Sequence, residues 1–121
     1  MADTVSTIAL RRLILDLIPK GHPSIVCTAR RYGIPVRTLQ RRLYDAGITY
    51  TQLVDEVRYA TACRMLKVMH MNMADIANAL GFSDPSNFSR AFQRWSGMSP
   101  SEYRRKHAAR PARRRKDQRS T

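Results

Sequence analysis

The chain repeats its own punctuation. Residues 24–53 laid against 72–103 pair Ala29-x3-Gly33-Ile34 with Ala77-x3-Gly81-Phe82, Leu39-x-Arg41-x-Leu43 with Phe88-x-Arg90-x-Phe92, and Gly47-Ile48-Thr49 with Gly97-Met98-Ser99. Each copy runs into the signature of a capping box, Thr49-x-x-Gln52 and Ser99-x-x-Glu102, which opens a further helix. Two copies about 50 residues apart are too few for a solenoid, whose units are stable only in longer stacks. Each copy reads instead as a helix-turn-helix. A small Ala lets two helices cross closely, the Gly four residues later takes a turn that a side chain would obstruct, and inward residues at i, i+4 pin the second helix.

Helical periodicity also fills the segments around the copies, and strand signals are nearly absent. Leu10, Leu13, Ile14, Leu17 and Ile18 form one apolar stripe, ended by Pro19, Gly21 and Pro23. Ser24 caps a short second helix to Tyr32; Pro35 sits near the start of a third that reaches Ala46 and is closed by Gly47. From Thr49 to His70 there is no Pro or Gly, and one helix of roughly 21 residues would extend about 32 Å. Asn72 caps a fifth helix from Met73 to Leu80, Asp84-Pro85 opens a sixth to Trp95, and Ser99-Pro100 opens a short seventh. From residue 104 the chain reads as an Arg/Lys/Ala/Pro tail with little to bury. The expectation is an all-α fold of seven helices, in which two helix-turn-helix subdomains, residues 7–48 and 72–107, are joined by a long linker helix over 49–71. A basic, disordered tail is expected over 108–121.

At 121 residues and 43% hydrophobic, the chain suits one domain, or two very small ones, with a real core. Its 22 Lys and Arg against 9 Asp and Glu give a formal charge of +13, which calls for an anionic partner, nucleic acid ahead of a membrane surface. Eighteen of the 22 are Arg, the side chain that forks onto phosphates and guanine edges. The charge is uneven. Residues 104–121 hold nine cations and one acid, and Lys20–Arg42 holds six cations and no acid, whereas Asn72–Gly97 balances Asp75 and Asp84 against Arg90 and Arg94.

Other classes find little support. No apolar run is long enough to span a bilayer and the start lacks the build of a secretory signal, so a cytoplasmic protein without membrane contact is expected. Cys27 and Cys63 form no CxxC, and His22, His70 and His107 have no regular spacing, so neither metal nor cofactor is expected, with the cysteines serving as small hydrophobes and the histidines at the surface. The acids Asp16, Asp45, Asp55, Glu56, Asp75, Asp84 and Glu102 are scattered over the chain, which argues against an enzyme. Trp95 and Tyr103 are expected in the core, and Met65, Met69, Met71 and Met73 as filler at the linker end.

In the first copy, the outward face of the second helix is Arg37, Gln40, Arg41 and Tyr44, at i, i+3, i+4 and i+7: two guanine readers, one adenine reader and a phosphate-capable phenol. Thr38 on the same helix is counted with them. In the second copy the face is Ser86, Ser89, Arg90 and Gln93, with Asn87 placed for a phosphate or base edge, so a single cation does most of the work. A linker of about 32 Å nearly equals one turn of B-DNA, about 34 to 36 Å, so two recognition helices could enter successive major grooves. A poor angle between them would demand bent DNA, at about 1 to 6 kcal/mol. A non-specific basic or architectural nucleic-acid-binding protein shares the charge but has no need of two matched reading helices.

The stretch Ile76-Ala77-x3-Gly81-Phe82-Ser83-Asp84-x-Ser86-x-Phe88-Ser89-Arg90-Ala91-Phe92-x-Arg94-x-x-Gly97-Met98-Ser99-Pro100-x-x-Tyr103-Arg104 resembles the C-terminal signature of the AraC/XylS transcription regulators. Leu39-Gln40-Arg41-Arg42-Leu43, Gly47 and Val57-Arg58-x3-Ala62-x-x-Met65-Leu66 resemble the family's first helix-turn-helix and linker, so the likeness covers about residues 7 to 107. The resemblance implies a two-subdomain unit that binds double-stranded DNA and recruits or repositions RNA polymerase. By the same resemblance the base readers are Arg37, Gln40 and Arg41 in the first copy and Pro85, Ser86 and Arg90 in the second, with Asn87 and Ser89 toward the backbone. Three features depart from the pattern. Pro35 stands where a Ser or Thr usually caps the first recognition helix. Pro85 and Ser86 are weak hydrogen-bonding readers, so the second unit is expected to meet mainly phosphate, with Arg90 as its chief base contact. Most members also carry an N-terminal effector-binding or dimerisation domain, so the chain is expected to be either a stand-alone monomeric regulator or an excised DNA-binding domain, the second favoured because the first helix resembles the start of the DNA-binding half of long members. No inducer site is expected, and a longer form would dimerise through the other domain.

Overall fold

The helices break where the sequence is punctuated. The computed structural model describes residues 2–68 and 70–107, and these are all-helical: α1 (Ala2–Leu17), a 3-10 turn (Ile18–Lys20), α2 (Ile25–Tyr32), α3 (Val36–Asp45), α4 (Tyr50–Val68), α5 (Met73–Ala79), α6 (Pro85–Ser96) and α7 (Pro100–His107). Met69 and the expected tail over 108–121 lie outside the described residues.

Side-chain caps start most of these helices. Ser24 Oγ accepts from the Cys27 N–H at 3.0 Å, Asn72 Oδ1 from Asp75 at 2.8 Å and Asp84 Oδ1 from Asn87 at 2.8 Å. The Thr49 box closes reciprocally, Gln52 N–H to Thr49 Oγ1 at 3.1 Å and Thr49 N–H to Gln52 Oε1 at 2.9 Å. At α7, Ser99 Oγ accepts from Glu102 N–H at 3.1 Å. Helix α3 is the exception that Pro35 foretold: its N-cap, Pro35 in an extended conformation (φ −64°, ψ 151°), makes no side-chain bond, and the helix begins at Val36.

The two turns of the repeat are closed by the same backbone bond. Ile34 N–H reaches Ala29 O at 3.1 Å, and Phe82 N–H reaches Ala77 O at 2.9 Å, each across a left-handed glycine, Gly33 (φ 92°) and Gly81 (φ 83°). Buried Ala29 and Ala77 mark the close helix crossings. Leu39 and Leu43 in α3, and Phe88 and Phe92 in α6, face inward as their spacing requires.

Around these units lies one continuous core, from Leu10 and Ile14 in α1 through Leu53, Val54 and Leu66 in α4 to Tyr103 in α7. Its second half is aromatic, with Phe82, Phe88, Phe92, Trp95, Tyr59 and Tyr103 linked by tilted and edge-on contacts between 5.3 and 6.5 Å. Tyr103 thus belongs to the core, and half-buried Trp95 packs against it together with Met65, Met71 and Met73. His22, His70 and His107 are exposed, as is Cys27; Cys63 is half-buried.

Two expectations need correction. Helix α4 is 19 residues long, about 28 Å, because Thr49 acts as its cap rather than its first residue and His70 is already outside it. The tail does not begin at Arg104: residues 104–107 continue α7, where Arg104 Nε donates to Leu66 O at 3.2 Å and ties the helix to α4. Among the described residues, no helix is long and apolar enough to cross a membrane, and no cluster of His, Cys, Asp or Glu is arranged to hold a metal.

Candidate nucleic-acid interface

Helix α3 buries one face and exposes another with no overlap between them. With Leu39 and Leu43 buried, Arg37, Gln40, Arg41 and Tyr44 are all exposed; the Tyr44 phenol is 83% accessible and so cannot be a packing residue. Among the described residues, none of these four side chains is engaged in a hydrogen bond or ion pair, which leaves their donors available to an outside partner. Thr38 is half-buried at the edge of the face. Arg30 and Arg31 in the last turn of α2 are also exposed, so the positive charge extends beyond the recognition helix itself.

Helix α6 differs in kind. Pro85, Ser86, Arg90 and Gln93 are exposed, and Asn87 and Ser89 are half-buried. Two of these groups form a relay with Ser83: Asn87 Nδ2 donates to Ser83 Oγ at 2.6 Å, and the Arg90 guanidinium donates to Asn87 Oδ1. Asn87 is therefore oriented by its neighbours and holds Arg90, which differs from a side chain simply turned toward the phosphate backbone. Sequence reasoning missed Ser83, which lies just before the Asp84 cap and outside α6, where helical spacing gives no signal.

The copies are also not superimposable in their turns. One residue, Ile34, separates Gly33 from the cap Pro35, whereas two, Phe82 and Ser83, separate Gly81 from the cap Asp84. The extra residue admits the side-chain cap and supplies the relay.

Both units hang on α4 through polar anchors that the sequence did not reveal, half-buried Tyr50 and buried Arg58. The Tyr50 hydroxyl donates to Pro23 O at 2.8 Å and accepts from Thr28 Oγ1 at 2.7 Å, holding the start of α2 against the start of α4. Burial pushes the Tyr50 phenol above its ordinary range, with the Thr28 bond opposing. In the second unit Arg58, 6% exposed, donates from Nε to Leu80 O at 3.0 Å and from an Nη to Gly81 O at 3.4 Å, and its guanidinium carbon lies 4.3 Å from the centre of the Phe82 ring. Burial lowers its affinity for its proton while the nearby Asp55 raises it. At the outer edge of α4, Glu56 pairs with Arg11 of α1 at 2.7 Å.

Comparison with known proteins agrees with this architecture. Residues 28–106 match a family model described as a helix-turn-helix domain. The chain is 41% identical over 92 residues to the HTH-type transcriptional regulator VqsM of Pseudomonas aeruginosa, and 41% identical over 95 residues to the ornithine utilization regulator of the same organism. The matches cover 76% and 78% of this chain but only 28% of the length of each regulator. Among solved structures, the transcriptional regulator CdpR of P. aeruginosa is 35% identical, with a TM-score of 0.66 over 79% of this chain and 31% of that one. The C-terminal domain of AraT, a response regulator from Geobacillus stearothermophilus, shares the fold at a TM-score of 0.77, 22% identity, and coverage of 90% and 91%. The DNA-binding domain of AdpA, solved in complex with a target DNA, shares it at a TM-score of 0.70, 24% identity, and coverage of 83% and 90%. With two helix-turn-helix units on one linker helix and a domain match across most of its length, the chain belongs to the AraC/XylS family of transcription regulators, of which it carries the DNA-binding domain.

Proposed function

We propose that this domain binds duplex DNA sequence-specifically by placing α3 and α6 in successive major grooves, as the reading part of a transcription regulator. The observation that carries the reading is the separation of faces on α3. Its apolar residues are buried, while Arg37, Gln40, Arg41 and Tyr44 stand outward with their donors unengaged. Arg37 and Arg41 read guanine, Gln40 reads adenine, and Tyr44 and Thr38 contact the backbone. In the second unit Arg90 is the chief base contact, Pro85 and Ser86 lie against the groove, and Ser89 and Gln93 approach phosphate. Residues 7–48, 49–71 and 72–107 act as reading head, linker and second reading head, and the basic segment 108–121 adds non-specific affinity. Two heads in one chain do what most helix-turn-helix proteins achieve by dimerising, which favours a monomeric domain. The family resemblance adds contact with RNA polymerase in the cytoplasm, and dimerisation of a longer regulator through another domain.

Engagement of both heads on straight DNA requires α3 and α6 to lie about one turn, about 34 to 36 Å, apart; any other offset is met by bending the DNA, at about 1 to 6 kcal/mol. Selection of binding sites from a random duplex library with the purified chain tests the reading. Two enriched boxes about one turn apart support it; one box leaves α6 without a reading role, and no enriched motif favours a non-specific architectural protein.

A further inference from the structure

A reading head is useful only at a defined distance and angle from its partner; Tyr59 packs on α6 and Arg104 ties α7 to α4, but the turn that leads into the second recognition helix has a polar grip of its own. The turn between α5 and α6 is gripped from two sides. On one side Arg58 enters from α4 and donates to the two carbonyls just past the end of α5, Leu80 O and Gly81 O, with the Phe82 ring against its guanidinium. On the other, the backbone of Ile18 and Gly21 presses on Gly81 so closely that no Cβ would fit. A planar fork suits this position, because it satisfies two neighbouring carbonyls and stacks on a ring at once, which an ammonium or an apolar chain of similar length does not do. The arginine is also nearly inaccessible, so DNA is not its partner. Its bonds span 22 and 23 residues of sequence and fix α5–α6 to a point in the middle of the linker.

We propose that Arg58 is a positioning residue that sets the offset between the two recognition helices, and so determines which spacing between half-sites the protein accepts. This rests on the reading that both heads dock on one duplex. Loss of the fork leaves each head folded but lets the second swing on α4, so that spacing discrimination is lost before affinity for a single box.

The test uses the full chain and duplexes built from its selected boxes, with the centre-to-centre spacing stepped one base pair at a time, alongside a duplex carrying only the box read by α3. Wild-type protein is expected to favour one spacing over its neighbours by about tenfold or more. Arg58→Met should reduce that preference to about twofold or less, with one-box affinity within about twofold of wild type, and Arg58→Lys should fall between. Cooperative thermal melting establishes that each variant is folded, and Arg58→Lys and Arg58→Gln carry the comparison if the Met variant does not melt cooperatively. A folded variant that keeps the wild-type spacing profile overturns the role of Arg58 alone. A wild-type profile that is flat from the outset overturns dual docking, and this proposal with it. Equal losses on one-box and two-box duplexes would mark Arg58 as a general stability residue and also overturn the proposal.

Discussion

Replacing the turn glycine by alanine in each copy separately should pull apart two physical roles that the repeat makes look alike. Gly33 and Gly81 occupy the same left-handed conformation, φ 92° and 83°, and close the same backbone turn. An alanine there carries the left-handed penalty of about 1 to 2 kcal/mol, offset by about 0.4 to 1 kcal/mol from the narrower unfolded ensemble. At Gly33 that is the whole effect, because a Cβ meets nothing within 4 Å, and Gly33→Ala should cost about 1 kcal/mol. At Gly81 a Cβ would lie 2.0 Å from Ile18 O and 2.9 Å from the backbone of Gly21, so the 3-10 turn and α5 must separate by about 1 Å. The obstructing atoms are backbone, with no rotamer to relieve them, and the separation opens the contact between the 3-10 turn and α5 in a region where Ile18 and Leu80 are both fully buried. Overpacking of this kind adds about 1 to 3 kcal/mol, giving about 2 to 4 kcal/mol in total for Gly81→Ala. Against a stability of roughly 5 to 15 kcal/mol, the difference is easily read from urea midpoints at an unchanged m-value. Equal losses in the two variants, within about 0.5 kcal/mol, would show that Gly81 is kept for its dihedral alone and that the clash is absorbed without cost.

Three further expectations concern binding and pH. Arg41→Ala and Arg90→Ala should each cost about 1 to 3 kcal/mol on a selected duplex and relax base preference at one position, whereas Asn87→Ala should relax the Arg90 position without removing its charge; competition against random duplex checks this, and uniform losses on both would make the arginines phosphate grips. Deleting residues 108–121, which carry six cations and one acid, should lower random-duplex affinity and flatten the salt dependence of binding without changing the selected motif. Stability should be level up to about pH 10 and then fall toward pH 12, because burial holds the Tyr103 phenol up to about 12 and raises those of Tyr50 and Tyr59. A folded-state pKa raised in this way contributes stability that is present below the unfolded value and lost above it, so urea midpoints across pH 9 to 12 should decline less steeply for Tyr103→Phe.

Local chemistry was legible in the sequence, and long-range chemistry was not. Ser24, Thr49, Asn72 and Asp84 announced helix starts because a cap acts on an amide only three residues away. Leu39, Leu43, Phe88 and Phe92 announced the buried faces because helical periodicity is itself local. The outward residues of α3 followed by subtraction. Tyr50, Arg58 and Arg104 gave no such signal, since each looks like an ordinary helix-surface residue until the chain returns 22 to 38 residues away to supply a carbonyl. The relay from Ser83 through Asn87 to Arg90 was missed for a different reason: it depends on the one extra residue in the second turn, and aligning the copies by their glycines hides that residue. Gly81 was read as a turn residue, although the turn of the N-terminal segment against it restricts it further.

The anchors on α4 have a consequence for how such a linker can vary in length. Tyr50 and Arg58 stand eight residues apart on it, a little over two turns, so each addresses its own unit from a set azimuth. One residue inserted between them would lengthen the helix by only about 1.5 Å but rotate everything beyond it by about 100°. Arg58 and the head it grips would turn together, so the second head would be re-aimed against the first long before it was displaced. Insertions or deletions between the two anchors can therefore preserve the relative aim of the two heads only as nearly whole turns, such as seven or eleven residues together, so the linker behaves less as a ruler than as a phase key.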